Sequence, residues 1–111
     1  MAEGILSANA PAMVAPATLT ESGRALQRKY VAELKGLTGR EPSGFNAMAF
    51  CAAYALFHDV LPQVSSIEDA EEICRVAMSL DIPPGVLPNG WGVKFDSQGQ
   101  NMRCPVSIDQ W

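Results

Sequence analysis

A histidine and an aspartate stand side by side in this chain, a pair that could act as a general base and its orienting carboxylate. They are His58, the single histidine among 111 residues, and Asp59. Neighbouring residues of a helix point about 100° apart, and no nucleophile stands at a spacing that would bring it to the pair. A cation near the C-terminal end of a helix is favourable in itself. We therefore interpret His58 as a surface residue at a helix end.

Three cysteines, Cys51, Cys74 and Cys104, could supply a nucleophile, a disulfide or metal ligands. Their number is odd, none belongs to a C-x-x-C motif, and each lies among apolar residues. Because free cysteine is usually buried as a small hydrophobic residue, we predict packing thiols, with one disulfide as the alternative. A zinc site would need carboxylate ligands that have no suitable spacing here. We expect no catalytic residues, no metal and no cofactor.

The acidic and glycine-containing segments have explanations that need no ligand. Four of the five residues 68–72 are acidic, but they lack the glycine and alternating oxygen ligands of a calcium loop. The sequences Pro-Pro-Gly at 83–85 and Asn-Gly-Trp-Gly at 89–92 match neither a P-loop nor a dinucleotide-binding fingerprint. We predict a solvated helix face and two turns.

Apolar periodicity predicts three helices, which would have to position any site. The first, over 21–37, carries one apolar stripe, made of Leu26, Tyr30, Leu34 and Leu37. The second, over 43–61, is apolar around almost its whole circumference, which is typical of a helix that is buried on most sides. The third begins at Ser65, whose spacing to Glu68 is that of a capping box.

A β-hairpin is predicted at the C-terminal end. Apolar and other residues alternate over 91–95, a turn with Asp first and Gly last occupies 96–99, and the chain would return as a partner strand over 101–111. The predicted fold class is therefore α+β, with three helices followed by a C-terminal antiparallel β-hairpin. Residues 1–19 are expected to be an extended or disordered lead-in.

Aromatic residues of the second helix are the candidates for contact with a ligand. Phe50, Tyr54 and Phe57 share a stripe, and Phe45 stands at the helix entrance. Core packing is the simpler interpretation. The alternative is that Phe45 or Phe50 faces a ligand cleft.

Composition excludes several classes of partner. A chain of this length has room for one domain. Eight Lys and Arg against twelve Asp and Glu give a net charge of −4, the wrong sign for a surface that neutralises nucleic-acid phosphates. We see no uncharged apolar run of about 20 residues, so we expect no membrane span. Residues 1–20 lack the basic start of a secretory signal, so we expect that any signal peptide has been removed or never existed.

Four segments occur in an order typical of one known family. They are Leu-Thr-Gly-Arg-Glu-Pro-Ser at 37–43, the alanine and aromatic run 49–56, Ser-Ile-Glu-Asp at 66–69, and Gly-Val-Lys-Phe-Asp-Ser-Gln-Gly-Gln-Asn at 92–101. With them, the chain from residue 24 onward resembles the C-terminal portion of a type I periplasmic solute-binding protein. This is the leucine/isoleucine/valine-binding family of ABC importers.

The resemblance implies that residues 20–111 are part of one α/β lobe of a two-lobed periplasmic-binding-protein fold. Such a protein captures a small amino acid or related carboxylate between its lobes without chemistry, and its partner is an ABC permease. The intact parent would be periplasmic. The resemblance also places Phe45 against the solute and Phe50 where members often have the Tyr of a Tyr-Asp pair. Cys51 replaces that Asp, which removes a polar group.

Self-association is a further expectation, argued from packing. Because the second helix is apolar nearly all round, a chain of this length must leave part of it uncovered. A two-fold homodimer would cover that surface. The alternative function is accordingly a stand-alone dimerising interaction or regulatory module with no small-molecule ligand. A small hydrolase that uses Cys51 and His58 is a third class of function.

Overall fold

Helices carry most of the regular structure of the chain. The computed structural model describes residue 4 and residues 6–110, and only the backbone of Ser107, Asp109 and Gln110. Its α-helices and β-strands are, in chain order, β1 (Leu6–Asn9), α1 (Glu21–Thr38), α2 (Gly44–Tyr54), α3 (Ala70–Met78) and β2 (Ser107–Gln110). A π-helical turn, Ala55–Val60, continues α2, and 3-10 turns occupy Pro16–Thr18 and Leu61–Gln63. The prediction of three helices is confirmed.

Side-chain caps explain where α1 and α2 begin. The Thr20 hydroxyl accepts a hydrogen bond from the Gly23 amide at 3.0 Å, which satisfies one of the free N–H groups of the first turn of α1. Ser43 and Asn46 form a reciprocal capping box at the start of α2. Gly39, at φ 66°, ends α1 in the left-handed conformation that glycine adopts without strain.

The predicted start of the third helix at Ser65 is wrong. Helix α3 begins one turn later, because the Asp69 carboxylate accepts a hydrogen bond from the Glu72 amide at 2.9 Å and so caps the helix. Glu72, rather than Glu68, reaches back to Ser65 and accepts hydrogen bonds from its amide at 2.9 Å and its hydroxyl at 2.7 Å. The expected capping box between Ser65 and Glu68 therefore does not form.

The predicted C-terminal hairpin is also wrong, and with it the α+β fold class and the expectation of one α/β lobe of a periplasmic-binding-protein fold. Over 91–101 only isolated bridges form, Ile82 with Val93 and Phe95 with Asn101. The Asn101 side chain explains the lost pairing, because it accepts from the Lys94 amide at 3.1 Å and donates to the Gly92 carbonyl at 3.0 Å. These backbone groups therefore bond to a side chain instead of a partner strand. The described chain is mostly helical.

The short strands come from opposite ends of the described chain. Strand β2 pairs antiparallel with β1, with Leu6 opposite Gln110 and Asn9 opposite Ser107. The segment expected to be an extended or disordered lead-in thus contributes one strand of this pair.

The loop from Gly85 to Gly90 contacts both α1 and α2. Its residues Leu87, Pro88 and Asn89 are almost completely buried. The start of α1 is fixed to it, because the Thr20 amide donates to the Gly85 carbonyl at 3.0 Å. Cys51 and Ala55 of the second helical segment, with Leu87 and Val93, form the buried core.

Helix α2 and its continuation remain largely uncovered. The segment Gly44–Gln63 has a mean hydropathy of 1.2 over 18 residues, of which 22% are buried. Among the described residues it is the one helix that is long and apolar enough to cross a membrane. Core helices of soluble proteins meet the same criteria of length and composition. Phe45 is 83% exposed and Phe57 is 68% exposed. The Cα radius of gyration is 15.6 Å, against about 13 Å for a compact domain of this length.

Candidate functional site

An apolar cavity of about 320 Å³ lies between α2, the end of α3 and the segment 87–95. Helix α2 and its π-helical continuation supply one wall, the residues around Leu80 supply a second, and the loop supplies Leu87 and Trp91. The π-helical turn places Leu56 and Val60 along this wall. The lining is aliphatic and aromatic apart from Asn101 and a thiol, so the cavity suits an apolar group.

Asn89 is the polar centre that fixes the loop beside the cavity. It is 0% exposed, and its side-chain oxygen accepts from the Trp91 amide at 3.2 Å and from the Cys51 thiol at 3.3 Å. Its amide nitrogen has no hydrogen-bond partner within the described part of the chain. The Trp91 indole donates to the Pro105 carbonyl at 3.0 Å. Trp91 is therefore held at both its backbone and its ring.

Cys51 is a buried thiol of the cavity wall, with 2% of its surface exposed. Burial raises its pKa to about 11, because the thiolate would be poorly solvated, and the hydrogen bond with Asn89 offsets part of that effect. At neutral pH the group is a protonated thiol. Nucleophilic catalysis requires the thiolate.

His58 lies on the exposed side of its segment. Its ring stacks on Tyr54 with a centroid separation of 4.7 Å, and its Nδ1 lies 2.9 Å from Asp59 Oδ1. The side chain is 63% exposed, as expected for a residue near a helix end. The Cys51 thiol, in contrast, is engaged with Asn89, so the geometry gives no support to a Cys51–His58 dyad.

The cations next to the cavity-lining segment are already paired. Asp81 contacts Lys94 Nζ at 2.9 Å and Arg103 Nη1 at 2.5 Å, and the hydrogen bonds from these two cations lower the pKa of Asp81. Asn101, on the cavity lining, also accepts from the Arg103 amide at 3.0 Å. The cavity lining itself carries no charged side chain.

The two sequence-predicted site residues lie on different sides of α2. Phe45 is exposed and borders a wider groove of about 730 Å³ between the start of α2 and residues 9–14. Phe50 lies between Tyr30 and Tyr54, with ring centroids at 4.4 Å and 5.9 Å. Residues at positions 45 and 50 of one helix point about 140° apart. The structure does not bring them together, and neither lines the 320 Å³ cavity.

Sequence reasoning missed the residues that shape the cavity. Leu87, Asn89 and Trp91 belong to segments interpreted as turns or as a strand. The sequence does contain one indication that this loop is buried. Trp91, between glycines at 90 and 92, is a large apolar residue in a segment otherwise typical of an exposed turn.

Neither a cluster of metal ligands among the described residues nor a known relative identifies the role of the site. Within residues 4 and 6–110, no three His, Cys, Asp or Glu side chains come together as a metal site. Comparison with known family models, with curated proteins and with solved structures finds no match for this chain. The residues and geometry of the chain itself are therefore the basis for proposing a function.

Proposed function

We propose that the chain is a fragment of an ABC-importer solute-binding protein and contributes to the capture of a small amino acid or related carboxylate. Binding would be non-covalent, without chemistry. The observation that carries this proposal is the apolar cavity of about 320 Å³, which is within the range of about 300–1,000 Å³ typical of small-molecule pockets. The resemblance of residues 24–111 to the leucine/isoleucine/valine-binding family supports the same assignment.

In this proposal the cavity receives the apolar part of the solute. A branched or aromatic side chain would pack between Leu56, Leu87 and Trp91, where each buried methylene contributes about 0.8 kcal/mol. Because the lining carries no cation, the solute carboxylate would be bound by groups of the intact protein outside this lining. The buried protonated thiol of Cys51 would act as a small apolar contact.

Phe45 remains a ligand-contact candidate in this proposal. Met48 lines both the apolar cavity and the groove that Phe45 borders, so a solute that extends past Met48 would meet the exposed Phe45 ring. Phe50 would act indirectly, because it packs between Tyr30 and Tyr54 and supports the opposite side of α2. The intact protein would deliver the solute to an ABC permease from the periplasm.

Thermal-shift measurements with a panel of amino acids and carboxylates test the proposal. The panel comprises leucine, isoleucine, phenylalanine and 3-methylbutanoate, with glycine and acetate as solutes that lack the apolar group. Ala52 and Ala53 are adjacent exposed alanines of α2, of which only Ala52 lines the cavity. Ala52→Leu should therefore fill the cavity, and Ala53→Leu is the matched control.

The wild-type chain and Ala53→Leu should melt at higher temperature with the apolar solutes. A solute at 100 times its Kd stabilises the folded state by about 2.7 kcal/mol. Ala52→Leu should show little shift. The proposal fails if no solute raises the melting temperature, or if the filled-cavity variant responds as strongly as its control.

A stand-alone dimerising module is the second candidate function. The exposed apolar surface favours a dimerising module. Leu37 is 83% exposed, Phe57 is 68% exposed, and most of the segment Gly44–Gln63 is not buried. Light scattering after size exclusion measures the oligomeric state, and together with the thermal shifts it distinguishes the two candidate functions. A dimer that no solute stabilises would favour the module.

A further inference from the structure

A second groove, of about 350 Å³, runs between α1 and α2. One wall is the apolar stripe of α1, and the other is formed by Phe50 and Tyr54 of α2. An adjoining depression on the same side of the second helical segment includes Phe57 and His58. Leu37, on the stripe, is 83% exposed. No described segment of the chain fills this groove.

Two opposite charges line the same groove, one helical turn apart. They are Lys29 and Glu33 of α1, and neither makes an ion pair within the described residues. Lys placed four residues before Glu is the weaker of the two orders for pairing along one helix. The nearby Lys35, in contrast, is paired with Glu41 at 2.6 Å. The groove thus offers one cation and one anion for an intermolecular contact.

We propose that this groove is the interface of a homodimer, in which the α1 helices of two copies cross antiparallel about a two-fold axis midway between Lys29 and Glu33 on the groove side of α1. This axis places Lys29 of each copy opposite Glu33 of the second copy, so the dimer contains the ion pair twice. The same symmetry places Leu37 opposite Ala25 of the second copy. Ala25 is a small and exposed residue, which leaves room for the larger side chain.

Self-complementarity is what selects a second copy of this chain as the occupant. A two-fold contact requires that one surface carry both halves of each interaction. Lys29 and Glu33 meet that requirement, and they balance in charge although the whole chain has a net charge of −4. The interface is independent of the proposed solute site, because the 320 Å³ cavity is lined by a different set of α2 residues.

Charge reversal and its repair test the interface by sedimentation velocity. Lys29→Glu alone, and Glu33→Lys alone, each place like charges opposite one another twice and should weaken dimerisation at least about tenfold. An equimolar mixture of the two variants should restore a heterodimer, because both pairs then have opposite charges. Arg28→Glu makes the same change in net charge as Lys29→Glu on an exposed residue outside the groove, and it should leave dimerisation within about threefold of wild type.

An independent variant addresses the apolar part of the interface. Leu37→Ser should weaken the dimer about tenfold, since it removes an exposed apolar side chain that the second copy would cover. Circular dichroism of each variant should match wild type, which separates lost association from lost folding. The proposal is overturned by a monomeric wild type at about 100 μM, by singly reversed variants that dimerise normally, or by a mixture that stays monomeric.

Discussion

Replacement of Gly23 by alanine should destabilise the protein, although alanine is the better helix former. In an exposed helix this change would stabilise by about 1 kcal/mol. At Gly23, however, a Cβ atom would overlap the Gly85 carbonyl oxygen and lie 3.1 Å from the Val86 carbonyl oxygen. Both are backbone atoms of the loop that anchors α1, so the helix and loop must separate.

The magnitude follows from the contacts that would be lost. Overpacking typically costs about 1–3 kcal/mol, and displacement of the loop weakens the bond from the Thr20 amide to the Gly85 carbonyl, which contributes about 1 kcal/mol. After the gain in helix propensity, we expect a net loss of about 1–3 kcal/mol. Urea unfolding followed by far-UV circular dichroism measures this free energy.

Gly36 supplies the matched control within the same helix. A Cβ atom there would meet nothing within 4 Å, so Gly36→Ala should stabilise by about 0.5–1 kcal/mol. Equal stabilisation by both substitutions would refute the docking of α1 on the Gly85–Gly90 loop.

Two predictions concern the titration and reactivity of named groups. Cys51 should react with iodoacetamide at pH 8 far more slowly than the exposed Cys74, because its raised pKa of about 11 keeps it protonated; comparable rates, read by mass spectrometry, would contradict its burial. The unfolded thiol ionises near pH 8.5, so the stabilisation from the protonated Cys51 thiol is present below that pH and is lost as the pH rises towards 11. Cys51→Ala should therefore reduce the fall in the free energy of unfolding over this pH range, as measured by urea unfolding. Asp81 has a lowered pKa because of Lys94 and Arg103, so its stabilisation is present above pH 4 and is lost as pH falls through the folded-state pKa. Asp81→Asn should flatten the acid limb of the stability curve, and an unchanged acid limb would show that the pairs contribute nothing.

The helices could be predicted from local signals. Residues Leu26, Tyr30 and Leu34 repeat at helical spacing, Gly39 provides a left-handed stop, and the structure places α1 at Glu21–Thr38, one residue longer than expected. Helix periodicity and helix stops depend on residues only a few positions apart, so they can be recognised in the sequence. The start of α3 was misplaced because Ser65 and Asp69 are both good caps, and the reach of the Glu72 carboxylate decides between them.

The hairpin and the cavity depend on contacts that sequence spacing does not specify. Alternation over 91–95 predicts a strand, but the Asn101 side chain bonds the Gly92 carbonyl and the Lys94 amide. Of the backbone groups of these two residues, only the Gly92 amide and the Lys94 carbonyl bond the backbone of the returning segment, at Arg103 and Met102. The cavity needs Asn89 to meet Cys51 across 38 residues, a pairing that no local pattern indicates. The sequence predicts the aromatic residues of α2 as a group, but their angular positions separate Phe45 from Phe50.

In the proposed function, the cavity beside Cys51 and Trp91 accepts the apolar part of a small solute. A ¹H–¹⁵N NMR titration of the wild-type chain with leucine tests it most directly, since the Trp91 indole and the amides of Ala55 and Leu87 report from the cavity walls. We expect saturable shifts confined to these signals and their neighbours. Unchanged spectra at millimolar leucine, or shifts confined to another surface, would contradict it.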